Sequence, residues 1–375
     1  MTTPADSLRQ LAADGLLRGI RPLDHAGGVR VHRDGRELWN FAANDYLGLS
    51  RHPEIEAALV EGVGKFGAGS AASRLVCGTL PPHVRLESAL AEAKQTEAAL
   101  TFSSGFATAL GAIPAIVGKQ DFVILDKLSH ACLVDAARLS GATLRVFPHN
   151  DLAKLKKLLV SIRAKSPHAR VLVATESVFS MDGDLCPLAE IVPLCEAHDA
   201  LLLLDEAHAF GVLGNTGMGL AEQENLQHRI AFQMGTLSKA AGLSGGYLAA
   251  SRDWIDLLTN RARSFIYTTA TPPALAHAAL ASLALIRSAE GHELRQSLQK
   301  NIARLGGDGT PIIPKILGTS ETALAASTAL EKAGFLVPAI RYPTVPRGTA
   351  RLRISLSAAH PAKAIDALAE ELRAS

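Results

Sequence analysis

Apolar residues in this chain gather into short runs, and most of the runs stop on a polar side chain. Residues 98–102 stop at Ser103 and Ser104, residues 122–125 at Asp126, residues 171–174 at Thr175 and Glu176, and residues 201–204 at Asp205. Residues 230–234 lead into Gly235-Thr-Leu-Ser-Lys239, and residues 246–250 form one more run. Four or five apolar residues bounded in this way predict strands buried on both faces. Between them lie segments with helical spacing: residues 84–94, the stretch after Phe106, the one opened by Leu128-Ser129-His130-Ala131, and the basic segment 155–164. Strands and helices in alternation predict an α/β fold with a mostly parallel central sheet. Ligands of such sheets bind beyond the carboxyl ends of the strands, where the polar residues recur.

The flanks read differently. Residues 5–17 have helical spacing, ended by Gly19 and Pro22. Residues 29–40 predict a hairpin with an Asp34-Gly35 turn, and Pro53 opens a helix. From Pro272 long Ala/Leu helices run to about residue 305. Residues 312–317, a helix over 321–334, residues 335–341 and 351–355, and a last helix come after them, which predicts a smaller α+β domain. The expected division is an N-terminal segment 1–43, a large domain 44–271 and a small C-terminal domain 272–375.

Composition narrows the class. Acidic and basic residues nearly cancel, to a formal net charge of +2, and no basic run offers a nucleic-acid surface. Cys77, Cys132, Cys186 and Cys195 form no CxxC pair and read as reduced thiols of a cytoplasmic protein. The N-terminus lacks an apolar signal core, and no apolar stretch is long enough to span a bilayer. Gly62-Val-Gly64-Lys-Phe-Gly67 fits the dinucleotide pattern in letters only, since a helix and not a strand precedes it.

Lys239 follows a buried strand in a bed of small residues. Such a lysine either reaches solvent or is neutralised, paired, or converted to a Schiff base with a carbonyl cofactor. Asp205, directly after four leucines, is poorly solvated and needs a cation, either a protonated pyridine ring or a metal shared with His208. The strand, Ser/Gly turn and helix start at Ser103-Ser104-Gly105-Phe106 suit a phosphate. Together these residues meet the demands of pyridoxal phosphate: an amine for the aldehyde, a carboxylate for the ring nitrogen, and N–H and hydroxyl groups for the phosphate.

Asp205-Glu-Ala-His208 followed by Gly235-Thr-Leu-Ser-Lys239 resembles the pyridoxal-phosphate enzymes of aspartate-aminotransferase fold. Asn44-Asp-Tyr-Leu-Gly-Leu, Ser104-Gly-Phe, Leu128-Ser-His-Ala and Glu176-Ser-Val-Phe-Ser-Met-Asp-Gly-Asp narrow the resemblance to the α-oxoamine synthases, over nearly the whole chain and in order. The resemblance implies roles. Lys239 carries the cofactor aldehyde and acts as the base. Asp205 pairs with the ring nitrogen, His208 and Ser180 contact the ring oxygen, and His130 stacks on the ring. Gly105, Phe106 and Thr236 hold the phosphate. Arg353 takes the amino-acid carboxylate, and Arg18, Asn44 and Thr344 contact substrate. No metal is implied. A homodimer is, with Thr268 and Thr269 reaching the partner's phosphate. The stretch Pro338-Ala-Ile-Arg341-Tyr-Pro-Thr344-Val-Pro resembles the branch that condenses L-alanine with a pimeloyl thioester. Cys77-Gly-Thr and Tyr342 depart from that branch, the former toward enzymes that join glycine to acetyl-CoA.

Overall fold

The structure, a computed structural model, describes residues 3–374. Two compact units divide the chain. The larger holds Asp45–Ser180 and Asp184–Gln296; the smaller holds the described part of Met1–Asn44, Met181–Gly183 and the described part of Ser297–Ser375.

In the smaller unit, helix α1 (Pro4–Ala13) precedes strands β1 (His25–Gly27), β2 (Arg30–Arg33) and β3 (Arg36–Asn40), an antiparallel meander. Asp34 and Gly35 both have positive φ, 53° and 71°, as a two-residue hairpin of right-handed twist requires. Helix α1 is shorter than its apolar spacing predicts: it ends at Ala13, and Gly15 turns the chain with φ 65°.

The larger unit is built on seven strands: β4 (Ala98–Phe102), β5 (Phe122–Asp126), β6 (Thr143–Phe147), β7 (Val171–Glu176), β8 (Leu201–Asp205), β9 (Phe232–Thr236) and β10 (Gly246–Ala250). Their spatial order is β4-β10-β9-β8-β7-β5-β6. The sheet is mostly parallel, as the alternation of strands and helices implies. Strand β10 alone runs against its neighbours β4 and β9. The cause is the connection: residues 237–245 turn back without a helix, and a parallel crossover needs a dozen residues or more. Helices α2 (Pro53–Phe66), α3 (Pro81–Ala93), α4 (Gly105–Ile116) and α5 (Ala131–Ser140) belong to this unit. Leu100, Val123, Leu172, Leu203, Phe232 and Leu248 of the sheet share one buried cluster with Ile113 of α4 and Leu133 of α5. Each such side chain contributes roughly 1.5–3 kcal/mol on burial.

The division differs from the sequence reading at both ends. The helix Pro273–Arg287, expected to open the C-terminal domain, lies in the larger unit and packs on α2 and α3. A Cβ on Gly62 of α2 would stand 2.8 Å from Ala274 Cα, so that glycine serves close helix packing rather than a nucleotide. Residues 1–43 do not stand apart either, because β3 pairs with a strand of the C-terminal region.

That region adds β11 (Ile312–Gly318), β12 (Phe335–Leu336), β13 (Ala339–Ile340) and β14 (Ala350–Ser355). Strand β12 pairs in parallel with β3, whereas β11, β14 and β13 form a separate sheet. Residues 335–341, read as one stretch, thus serve two sheets. Pro338 falls at the break, where a missing N–H costs nothing.

Candidate active site at the carboxyl ends of β7, β8 and β9

Strands β7 and β8 end side by side with Glu176 and Asp205 in register, both buried. The turn after β8 is tied down locally. Asp205 Oδ1 accepts the Ala207 N–H at 2.9 Å, and the Asp205 carbonyl accepts the N–H and Oγ–H of Ser177 at 2.9 and 3.0 Å. Burial raises the Asp205 carboxyl above its ordinary value, while the Lys239 ammonium and His130 draw it back. Glu176 is pushed up to about 8, by burial first and by the Asp205 charge second. The Asp205 charge thus adds to burial in holding Glu176 toward its protonated form.

Strand β9 delivers Lys239, half-buried, three residues past its end. Its Nζ lies 2.8 Å from His208 Nε2, and His208 Nδ1 lies 2.6 Å from the Tyr46 hydroxyl. Both ring nitrogens are thus engaged. Gly242 (φ 70°) lets this loop lie against the backbone of Leu49 and Ser50, where a side chain would collide. The same Asp45–Ser50 stretch carries Tyr46.

His130 caps α5: its Nδ1 accepts the Cys132 N–H at 3.2 Å. Its own N–H donates to Glu176 Oε1 at 2.6 Å. Burial lowers the pKa of the ring. Ser180, buried, gives its backbone N–H to the Glu176 carboxyl.

Helix α4 begins with Gly105 and Phe106. Ser104 Oγ caps it by accepting the Ala107 N–H at 3.1 Å, so the Gly105 and Phe106 amides, with no turn before them, lack intrahelical acceptors. Thr236 Oγ1 donates to Gly245 O at 2.8 Å, lies 2.6 Å from Ser238 Oγ, and stands beside Gly105. A Cβ on Gly246 would stand 2.6 Å from Gly105 N, so β10 approaches this helix end as closely as only glycine permits. Phe106 meets the His130 ring edge-on, with centroids 6.5 Å apart. Thr268 and Thr269 line a small hydroxyl-rich pocket with Arg74, Ser103 and Ser264.

The remaining candidates lie in the smaller unit. Arg353, buried on β14, donates to Asn44 Oδ1 at 3.0 Å and to Ser355 Oγ at 2.7 Å. Arg18 donates to Thr344 Oγ1 at 3.2 Å, both exposed. The larger unit thus brings together Lys239, His208, Asp205, His130, Ser180, Thr236, Gly105 and Phe106. The smaller brings Arg353 to Asn44 and Arg18 to Thr344.

Two participants were not singled out by the sequence reading. Tyr46 stands in the Asn44-Asp-Tyr stretch, where the turn residues draw attention first. Glu176 ends β7 as Asp205 ends β8, and that parallel was the available signal.

The chain belongs to the aminotransferase class I and II family, whose pattern matches residues 36–372. Within it, the chain is 49% identical over 372 residues to an 8-amino-7-oxononanoate synthase of Methylobacterium sp. (strain 4-46), covering 98% of this chain and 95% of the relative. Its fold resembles serine palmitoyltransferase of Sphingomonas wittichii, with a TM-score of 0.92, 30% identity, and coverage of 99% and 96% of the two chains. It also resembles 8-amino-7-oxononanoate synthase of Francisella tularensis, with a TM-score of 0.76, 28% identity, and coverage of 90% and 98%.

The residues fit pyridoxal phosphate. The α4 amides without intrahelical acceptors suit a phosphate dianion, with the Thr236 side chain beside Gly105. Buried Asp205, poorly solvated, suits a cationic partner such as a protonated ring nitrogen.

Proposed function

We infer that this chain is a pyridoxal-phosphate-dependent acyltransferase that joins L-alanine to a pimeloyl thioester with loss of carbon dioxide. The product is 8-amino-7-oxononanoate, a precursor of biotin. The observation that carries this reading is Lys239 Nζ at 2.8 Å from His208 Nε2, within the field of a buried Asp205, at the carboxyl ends of β8 and β9.

Bound pyridoxal phosphate supplies an aldehyde for the amino group and a ring that accepts the electron pair left at Cα. The chain's residues do the rest. Lys239 Nζ would hold the cofactor aldehyde and would take the Cα proton of the amino acid. His208 Nε2 stands ready to exchange a proton with that amine, and Tyr46 holds the imidazole in place. Asp205 would keep the ring nitrogen protonated. His130 would cover the ring, and Ser180 and His208 would contact its oxygen. Gly105, Phe106 and Thr236 bind the phosphate. Arg353 binds the amino-acid carboxylate with a planar pair of donors, oriented by Asn44, while Arg18 and Thr344 meet the acyl substrate.

The chain works as a homodimer in the cytoplasm. Leu75, Val76 and Tyr267 support the dimer, since they leave large apolar side chains 53%, 79% and 71% exposed. Thr268 and Thr269 then face the partner's phosphate. The acyl group arrives on coenzyme A or on a carrier protein.

A second reading has specific support in Cys77-Gly-Thr and in the high fold similarity to serine palmitoyltransferase. The deciding experiment follows thiol release from three mixtures: L-alanine with pimeloyl-CoA, glycine with acetyl-CoA, and L-serine with palmitoyl-CoA. Release in the first mixture is expected. Release only in the second or third would replace the substrates and keep the family.

A further inference from the structure

The turn that carries Asp205 and His208 is held by a buried ion pair that the proposed chemistry does not use. Lys94 follows α3, and its side chain is 0% exposed, as is that of Glu206. Lys94 Nζ is ion-paired with the Glu206 carboxylate and donates to Met218 O at 2.6 Å. Glu206 Oε1 accepts the Ala221 N–H at 3.0 Å. The Glu206 backbone is equally committed. Its N–H donates to Met234 O on β9 at 2.8 Å, and its carbonyl accepts the N–H groups of Ala209 and Phe210 at 3.0 and 2.8 Å. Lys94 O accepts Gln233 Nε2, also on β9, at 3.0 Å. Gly219, at φ 103°, lies so close to the Glu206 carboxylate that a Cβ there would collide with it.

General stability does not explain this arrangement. An apolar pair of similar volume is usually as stable as a buried ion pair, whereas removal of one partner strands the other's charge. The pair's place in the chain is more informative. Glu206 is the residue after Asp205 and two before His208, so any movement that relieves a stranded Glu206 charge displaces both. The fields of Glu206 and Asp205 also reach the same group: the buried Tyr247 hydroxyl is pushed well up, by burial first and then by these two carboxylates.

We propose that Lys94 is a positioning residue: by neutralising Glu206 it holds the turn on which Asp205 and His208 meet the cofactor and Lys239. The inference rests on the pyridoxal-phosphate reading above. Lys94 touches neither substrate nor cofactor, and it acts through Glu206.

The test uses full-length protein as Lys94→Met, as Lys94→Met/Glu206→Gln, and unchanged. Glutamine at 206 keeps an acceptor for the Ala221 N–H while removing the charge. Three quantities are read: the dissociation constant of pyridoxal phosphate, the visible circular-dichroism band per bound cofactor, and the thermal midpoint of the cofactor-free protein. A purely structural role lowers the midpoint and leaves the band of folded protein unchanged. Lys94→Met is expected to bind about tenfold more weakly or worse, with an altered band, and the double variant to return to within about threefold of the parent with the parent's band. Folded Lys94→Met with the parent's affinity and band would overturn the proposal, as would a double variant no better than the single. If Lys94→Met does not fold, the double variant decides: the parent's band supports the proposal, and an altered band or failure to fold overturns it. An unchanged protein that binds no pyridoxal phosphate would overturn the function proposed above and this inference with it. Binding by the parent with an unaffected Lys94→Met overturns this inference alone.

Discussion

Tyr46 sets its hydroxyl 2.6 Å from His208 Nδ1, on a ring whose other nitrogen is 2.8 Å from Lys239 Nζ. Two proton arrangements are self-consistent. Either Tyr46 donates to Nδ1 and Nε2–H donates to a neutral lysine amine, or a lysine ammonium donates to Nε2 and Nδ1–H donates to the tyrosine oxygen. A proton on Nζ is therefore coupled to the imidazole tautomer. Tyr46→Phe should keep the fold and lower kcat about tenfold, since stranding a buried polar nitrogen costs roughly 1–3 kcal/mol. Steady-state kinetics beside a thermal melt checks this; an unchanged kcat would remove the tyrosine from the proton path.

Lys239→Ala should abolish thiol release from L-alanine and pimeloyl-CoA while the far-ultraviolet circular dichroism stays that of the parent. Lys239 is half-buried on a loop held by Leu237, Gly242 and Leu243 backbone bonds, so its side chain is not needed for the loop. Turnover near the parent's rate would mean that another group removes the Cα proton.

Arg353→Lys should raise KM for L-alanine by about ten- to a hundredfold, the effect of replacing a planar pair of donors by a single ammonium at a charged hydrogen bond. The effect on kcat should be smaller. An unchanged KM would assign Arg353 to its contacts with Asn44 and Ser355 only.

His149 governs part of the response to pH. Its Nδ1 and Nε2 stand 3.0 and 2.7 Å from Asp126 and Asp184. Burial pulls the imidazole down, yet the hydrogen bonds and charges of these two carboxylates hold it at about 10, above its ordinary 6.5. The raised value means that the folded protein keeps a proton the unfolded chain releases. Its stabilising contribution is complete below about 6.5 and is lost as pH rises toward about 10. His149→Gln should melt below the parent at pH 6, and the gap should close by pH 10. A gap that stays constant over that range would contradict the charge assignment.

The larger unit was legible because buried parallel strands write themselves as apolar runs. Two of the runs closed on acidic residues of the candidate site, Leu201–Asp205 and Val171–Glu176. The smaller unit was less so. Its strands pair across long sequence separations, and neither the parallel bond of β12 to β3 nor the split at Pro338 leaves a periodic trace. The domain boundary was misplaced because the helix Pro273–Arg287 shares its Ala/Leu composition with the C-terminal segment but packs against helices from the first hundred residues. In the site, Lys239 and Asp205 announced themselves as charges set against apolar runs. Tyr46 did not, because a tyrosine among apolar residues reads as core until His208 appears beside its hydroxyl. Lys94 was hidden for the opposite reason: at the end of an amphipathic helix, nothing in the pattern distinguishes it from a solvated lysine.

On the function proposed above, His130 works in two directions at once, with Nδ1 spent on the Cys132 amide at the start of α5 and the flat of its ring laid on the cofactor. Few replacements preserve both. Asparagine or serine can cap the helix but has no aromatic surface, and phenylalanine or tryptophan has the surface but no acceptor for the amide. Position 130 is thus a conjunction of two demands that single substitutions satisfy one at a time, and a route to a different ring-covering residue in this scaffold must rebuild the start of α5 in the same step.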